Sequence, residues 1–263
     1  MDYKHIKVEA RGEVALITLN RPDQMNAISE LMRYELCEAI DEINKNDEFG
    51  AIVLTGAGKH FCTGADVSRF AGTAEKAPPA RLEWTRQLLE SKPVVAAING
   101  YAVGAGLTRT LNCDIRVASN QALFSMRFIR MGLAPTEFAC SQLLPQLIGI
   151  QAALDLAMSG KMIDTTEALR LGLIYKVFEP EKLVEEAISL ASGYAANPWG
   201  AVRSTKENYY QNFHEQNLDL ILEREATAFI TSGQTPEHKE AVAAFQEKRK
   251  PDFKGVRAKS EWA

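Results

Sequence analysis

Apolar and polar residues alternate through "KVEARGEVALITLNRP" on both sides of Arg11-Gly12, the period-two pattern of a β-hairpin. At Ser29 the period changes. Leu36, Ile40 and Ile43 recur at helical spacing, and Ser29 is placed to cap a helix running to about Asn46. "GAIVLTG" is a short apolar run closed by glycine, which predicts a buried strand. Residues 57–80 are rich in Gly, Ala and Pro and read as a loop, followed by a helix from about Arg81 to Glu90. Lys92-Pro93 leads into the strand "VVAAING"; "GYAVGAGLTRTLNC" then starts as a glycine-rich turn and continues as a helix, and "DIRVAS" is a further strand. From Glu137 onward "FACSQLLPQLIG" and "IQAALDLAMSG" have helical spacing, before "TTEALRLGL" and the strand "IYKVF". Beyond Pro180 the pattern is helical throughout, over about 181–195, 200–212, 215–231 and 236–249. Short strands alternating with helices predict an α/β core, residues 1–195, carrying a C-terminal helical region, residues 196–263.

Composition narrows the class of protein. With 46% apolar and 24% charged residues, a chain of 263 residues can bury a core without disulfides or a structural metal. The formal net charge of -4 predicts no strongly basic face, so nucleic acid is not an expected partner. Cys37, Cys62, Cys113 and Cys140 form no CxxC pair and are expected as reduced, buried thiols. His5, His60, His214 and His238 match no metal-ligand spacing, and no metal is expected. No apolar run reaches bilayer length, so no membrane partner is expected. "MDYKHIKVEARGE" lacks the apolar stretch of a secretory signal and "KSEWA" is no peroxisomal address, which makes the cytoplasm the expected location.

Several catalytic motifs fail on inspection. "TGAGKHF" is not a Walker A loop, because Val53 stands where the first glycine belongs and His60 follows Lys59 where Ser or Thr is required. Gly100, Gly104 and Gly106 read GxxxGxG, not the GxGxxG of a dinucleotide fold. No GxSxG or HExxH is present. Two glycine-flanked loops remain, "FCTGAD" and "GYAVGAG", each following an apolar strand. They are either ordinary tight connections or, if they face each other, a pair of backbone N–H donors for an oxyanion.

"HFCTGADV", "KPVVAAINGYAVGAG", "NCDIRVAS", "GLAPTE…LLPQLIG", "TTEALRLGLIYKVF" and "FQEKRKPDF", taken together and in this order from Ile6 to Phe253, resemble the enoyl-CoA hydratase/isomerase family, the crotonase superfamily. The resemblance implies an α/β fold, a spiral of ββα turns with a C-terminal helical region that packs trimers, often paired into hexamers. It implies an acyl-CoA substrate with no cofactor beyond the coenzyme A of the thioester. The oxyanion donors would be the N–H groups of Ala65 and Ala105, beside Gly64 and Gly104. Met25, Ala27, Thr63, Asp66 and Val67 would line the CoA path, and Phe245 and Lys248 would bring a C-terminal helix to CoA, commonly that of a neighbouring subunit. The loop from about Val67 to Ala80 would shape the acyl pocket.

By the same resemblance, a hydratase uses two glutamates, and the matching positions here are Thr108 and Phe128. Neither can move a proton at neutral pH, so efficient hydration of a 2-enoyl-CoA is not expected. Some Δ3,Δ2-enoyl-CoA isomerases carry an acid just beyond the "GLxP" turn. Glu137 and Pro145 keep the separation found there, with one residue more upstream, "GLAPTE" for "GLxPE". Glu137 is then the expected base of a Δ3-to-Δ2 isomerisation through a thioester enolate. Its structural alternative is an acid in the first turn of a helix capped by Thr136. Arg109, Arg127 and Arg130 raise an acidic acyl substituent as an alternative substrate, for a hydrolase, lyase or hydratase of an unusual acyl-CoA. A catalytically weakened CoA-binding member of the family is the third alternative.

Overall fold

The hairpin formed by β1 (Ile6–Arg11) and β2 (Val14–Leu19) begins a sheet that β3 (Ala51–Gly56), β4 (Val94–Ile98), β6 (Ile115–Ser119) and β9 (Lys176–Phe178) extend in parallel, in the order β1-β2-β3-β4-β6-β9. A computed structural model describes residues 3–69 and 84–257. Period-two alternation sorts the sheet's side chains between two cores. Val14, Leu16, Ala51, Val53, Val95, Ala97 and Val117 pack on Leu183, Ala187, Ile188 and Ala191 of α7 (Leu183–Ala195). Ala15, Ile17, Leu19, Ile52, Leu54, Ala96 and Ile98 face the larger core, into which α1 (Glu30–Lys45) inserts Met32, Leu36, Ile40 and Ile43. Ser29 caps α1 through Met32 N–H, as its position predicts.

A second sheet of three short strands stands beside the first: β5 (Tyr101–Val103), β7 (Leu123–Ser125) and β8 (Ile163–Asp164). Here the expected glycine-rich turn is corrected, because Tyr101–Val103 pairs with β7 before α3 (Ala105–Thr110) begins. The helix after Glu137 is corrected too. Phe138 and Ala139 hold φ of 52° and 56°, the left-handed region, and α4 (Cys140–Ile148) starts only beyond them. Thr136 is therefore not a helix cap, and Glu137 lies before the first turn of α4. The rest of the chain follows with α5 (Ile150–Ser159), α6 (Thr165–Leu171), α8 (Trp199–Asn212), α9 (Leu218–Ser232), α10 (Pro236–Glu247) and α11 (Phe253–Val256). The expected helix of 81–90 is described from Trp84 as α2 (Trp84–Glu90), and most of the 67–80 loop lies outside the described residues.

α8 is tied to the sheet by buried polar contacts. Lys206 Nζ donates to Leu88 O at 2.7 Å and meets Asp114 Oδ2 at 2.9 Å, and Tyr210 OH donates to Asp114 Oδ1 at 3.0 Å. α9 buries no residue of its own and leaves Leu222, Phe229 and Ile230 exposed. No described helix is long and apolar enough to cross a membrane.

One close approach fixes the relation between the two sheets. Cys62 bridges to Ala102, with Cys62 N–H donating to Tyr101 O at 2.8 Å and Val103 N–H to Cys62 O at 3.0 Å. A Cβ on Gly106 would lie 2.3 Å from Cys62 O. In an isolated helix alanine is favoured over glycine by about 1 kcal/mol, but overpacking against a fixed carbonyl costs about 1–3 kcal/mol or more. Gly106→Ala is therefore expected to lower the urea midpoint of unfolding; an unchanged or raised midpoint contradicts this packing.

Candidate active site

The loop after β3 runs beside Ile28. Ile28 N–H donates to Gly64 O at 2.8 Å and Asp66 N–H donates to Ile28 O at 3.0 Å. Alternation along an extended segment turns the intervening Ala65 N–H the other way, and it donates to no other described group. Ala105 opens α3, so its N–H has no partner one turn back. Gly104 precedes it at φ 54°, ψ -126°, which glycine adopts freely and other residues do not. Ala105 itself has no positive φ, so alanine is accommodated there. The two loops face each other closely: a Cβ on Gly64 would stand 3.1 Å from Val103 O and 3.6 Å from Ala105 N. Of the two readings of these glycine loops, ordinary separate connections and a facing pair, the facing pair is the one built.

One turn along α3, the fully buried Thr108 places its hydroxyl 3.2 Å from Glu137 Oε1 and 3.4 Å from Gly104 O. A hydroxyl has one proton to donate, and the charged carboxylate is the nearer and better acceptor. Glu137 thus reaches α3 at Thr108, even with the additional residue upstream. The left-handed pair Phe138-Ala139 follows it, and two further groups of α3 hold Phe138. Asn112 Nδ2 donates to Phe138 O at 3.2 Å, and the Arg109 guanidinium lies 4.4 Å from the centroid of the Phe138 ring. Phe128, in the short 3-10 turn of Arg127–Met131, puts its ring edge against Gly104, 3.7 Å from where a Cβ would stand.

These loops can now be set beside known proteins. The enoyl-CoA hydratase/isomerase family profile matches residues 9–257. The chain belongs to the enoyl-CoA hydratase/isomerase family. It is 36% identical to the short-chain-enoyl-CoA hydratase of Clostridium acetobutylicum, over 95% of this chain and 97% of that one. It is 33% identical to the 1,2-epoxyphenylacetyl-CoA isomerase of Escherichia coli K12, over 92% and 95% respectively. The crystal structure of enoyl-CoA hydratase from Bacillus anthracis superposes with a TM-score of 0.87 at 34% identity, covering 96% of this chain and all of that one. The α/β fold with its helical C-terminal region is therefore the crotonase fold of this family of acyl-CoA enzymes.

The residues that the family resemblance assigns to the CoA path divide into two groups. Met25, Ala27, Thr63, Asp66 and Val67 come together. Thr63 N–H donates to Met25 O at 3.2 Å, and Arg21 Nη1 donates to Ala27 O at 2.6 Å while pairing with Asp66 Oδ2 at 2.8 Å. Burial works to raise the Asp66 carboxyl, but hydrogen bonds from Ser68 and Arg21 outweigh it and hold the group below the usual carboxylate range. Phe245 and Lys248, at the C-terminal end of α10, are not joined to these loops by any hydrogen bond, ion pair or ring contact among the described residues. Arg127 and Arg130 are exposed.

Two contributors were missed in the sequence. Asn26, fully buried at φ 54°, accepts from Arg21 N–H at 2.9 Å and donates to Ala57 O at 2.9 Å and His60 O at 2.7 Å, locking the Met25 segment to the loop after β3. The available signal was that asparagine tolerates the left-handed region. Asn112 was missed because its role depends on a contact far along the chain. As expected, all four thiols are free and buried. Burial pushes Cys62 and Cys140 up to about 11 and Cys113 to about 12, so the thiolate is scarce at pH 8. Ellman's reagent at pH 8 is expected to find no reactive thiol in the folded protein and four in urea. Prompt reaction of a thiol before unfolding contradicts this core.

Proposed function

We propose that the chain converts a 3-enoyl-CoA to the conjugated 2-enoyl-CoA, with Glu137 as its single base. The observation carrying this reading is the 3.2 Å hydrogen bond from Thr108 to Glu137 Oε1. It supports a carboxylate standing one helical turn from the Ala105 N–H, at the position where the family resemblance sets a hydratase glutamate. The thioester oxygen would accept from Ala65 and Ala105 N–H. Glu137 would remove a proton from C2, the C2 electron pair would delocalise as a dienolate onto that oxygen, and the same proton would return at C4 as the double bond moves to C2. Donors fixed where charge develops do not reorganise during reaction, and each is worth about 10²–10³ in rate. The Thr108 hydroxyl would orient the carboxylate, while the Phe128 ring would fill the place of the second hydratase acid and exclude water. In this reading the chain needs no cofactor beyond the coenzyme A of its substrate.

Names among the relatives are mostly hydratases, and one observation favours that second reading: Glu137 reaches the first hydratase position from another segment. The aromatic Phe128 at the second position weighs against it. We further propose a homo-oligomer, a trimer or a dimer of trimers. It would cover the apolar residues that α8, α9 and α10 leave exposed, including Tyr209, Phe229 and Phe245. In such an assembly Phe245 and Lys248 could serve the CoA of a neighbouring copy.

Incubation with a 3-enoyl-CoA and separately with a 2-enoyl-CoA tests the isomerase reading. Glu137→Gln is expected to slow conjugation of the 3-enoyl ester by about 10²–10⁴-fold with CoA affinity kept. Hydration of the 2-enoyl ester that survives Glu137→Gln would sink the proposal.

A further inference from the structure

Asn112 is fully buried just beyond α3, and only half of its amide is used. Nδ2 donates to Thr108 O at 3.2 Å and to Phe138 O at 3.2 Å. Oδ1 is sealed from solvent and accepts from no described group. Carbonyl oxygens only accept, so the NH₂ must be the half that faces them, and the idle oxygen follows from that orientation. A buried acceptor without a donor is costly, so this side chain is kept for its two donors. The bond to Thr108 O does not require asparagine. Leu111 N–H already donates to that carbonyl at 3.3 Å, and a threonine can turn its hydroxyl back onto its own helix, as Thr110 does to Leu107 O at 2.8 Å. The bond to Phe138 O is different: no described backbone N–H donates to that carbonyl. Two donors on one side chain tie the end of α3 to the segment that carries Glu137.

Phe138 follows Glu137 and holds φ of 52°, a conformation that a non-glycine residue keeps only when its surroundings fix it. Ala105, Thr108 and Asn112 are spaced three and four residues apart, which puts them on one face of α3 and its last turn. Along that face lie the Ala105 N–H, the hydroxyl that reaches Glu137 Oε1 at 3.2 Å, and the amide that holds Phe138 O. We infer that Asn112 is a positioning residue: by clamping Phe138 O it fixes the main chain from which Glu137 projects, and so sets the carboxylate against the oxyanion donor at Ala105. This rests on the proposed reading of Glu137 as the base. It adds that the Thr108 hydroxyl alone does not hold the base in place, and that Asn112 acts through Glu137 and not on the substrate.

Asn112→Thr separates the two bonds, since a single hydroxyl keeps the contact with Thr108 O and gives up the one with Phe138 O; Asn112→Ser does the same if the threonine variant does not fold. Conjugation of 3-hexenoyl-CoA by the full chain is to be followed for the substitution alone and combined with Glu137→Gln, with unfolding in urea measured alongside. In the wild-type background kcat is expected to fall by about 10–100-fold, the order of loss that a misplacement of about 1 Å brings, while KM and the urea midpoint change little. In the Glu137→Gln background the same substitution should cost less than about twofold, because residues that act as one unit are not additive. A threonine variant as fast as wild type overturns the inference, as does an equal fold-loss in both backgrounds or a loss confined to KM; each of these leaves Glu137 as the base. A wild type that conjugates the ester no faster than Glu137→Gln removes the base itself, and the inference with it.

Discussion

The contact between Gly106 and the Cys62 carbonyl is the constraint on which the rest of the site depends. There is no space for a side chain between them, so the start of α3 and the loop after β3 are held at a fixed separation. That separation leaves Ala65 N–H and Ala105 N–H as two adjacent donors without partners among the described residues. An unpaired backbone N–H away from water is unfavourable; a ligand oxygen between the two would relieve both. In the proposed function, that relief would supply part of the binding energy for the thioester oxygen.

α3 does most of the remaining organisation, and it does so because it is buried on every side. Thr108, Arg109 and Asn112 would be unremarkable on a surface helix. Inside the core an unpaired polar atom is costly, and the segment Glu137–Phe138 supplies an acceptor to Thr108, a ring face to Arg109 and a carbonyl to the Asn112 amide. The position of the Glu137 carboxylate thus follows from the needs of α3 as much as from its own sequence. The strained pair Phe138-Ala139 is the local cost.

This also explains what could be read in advance. β1, β2, β3, β4, α1 and α7 are long enough for their period to show, and their boundaries lie close to those expected. β5, β7 and β8 span two or three residues each and have no period to detect. The start of α4 was misplaced because two non-glycine residues take left-handed φ, which no composition signals. The facing loops were legible as one of two alternatives, and family resemblance was needed to attach a thioester to them. Arg109 could not be told from a surface arginine, since its burial depends on Trp84 and Phe138 closing over it from distant parts of the chain.

The central claim is that this site makes a thioester enolate with Glu137 as base, and proton exchange reports on it without any rearrangement of the substrate. A saturated acyl-CoA held in D₂O with the protein and followed by proton NMR at C2 is the most direct measurement. The account expects the C2 protons of the ester to be lost to solvent with the wild-type chain and retained with Glu137→Gln. No exchange with the wild type, or equal exchange with both, contradicts it.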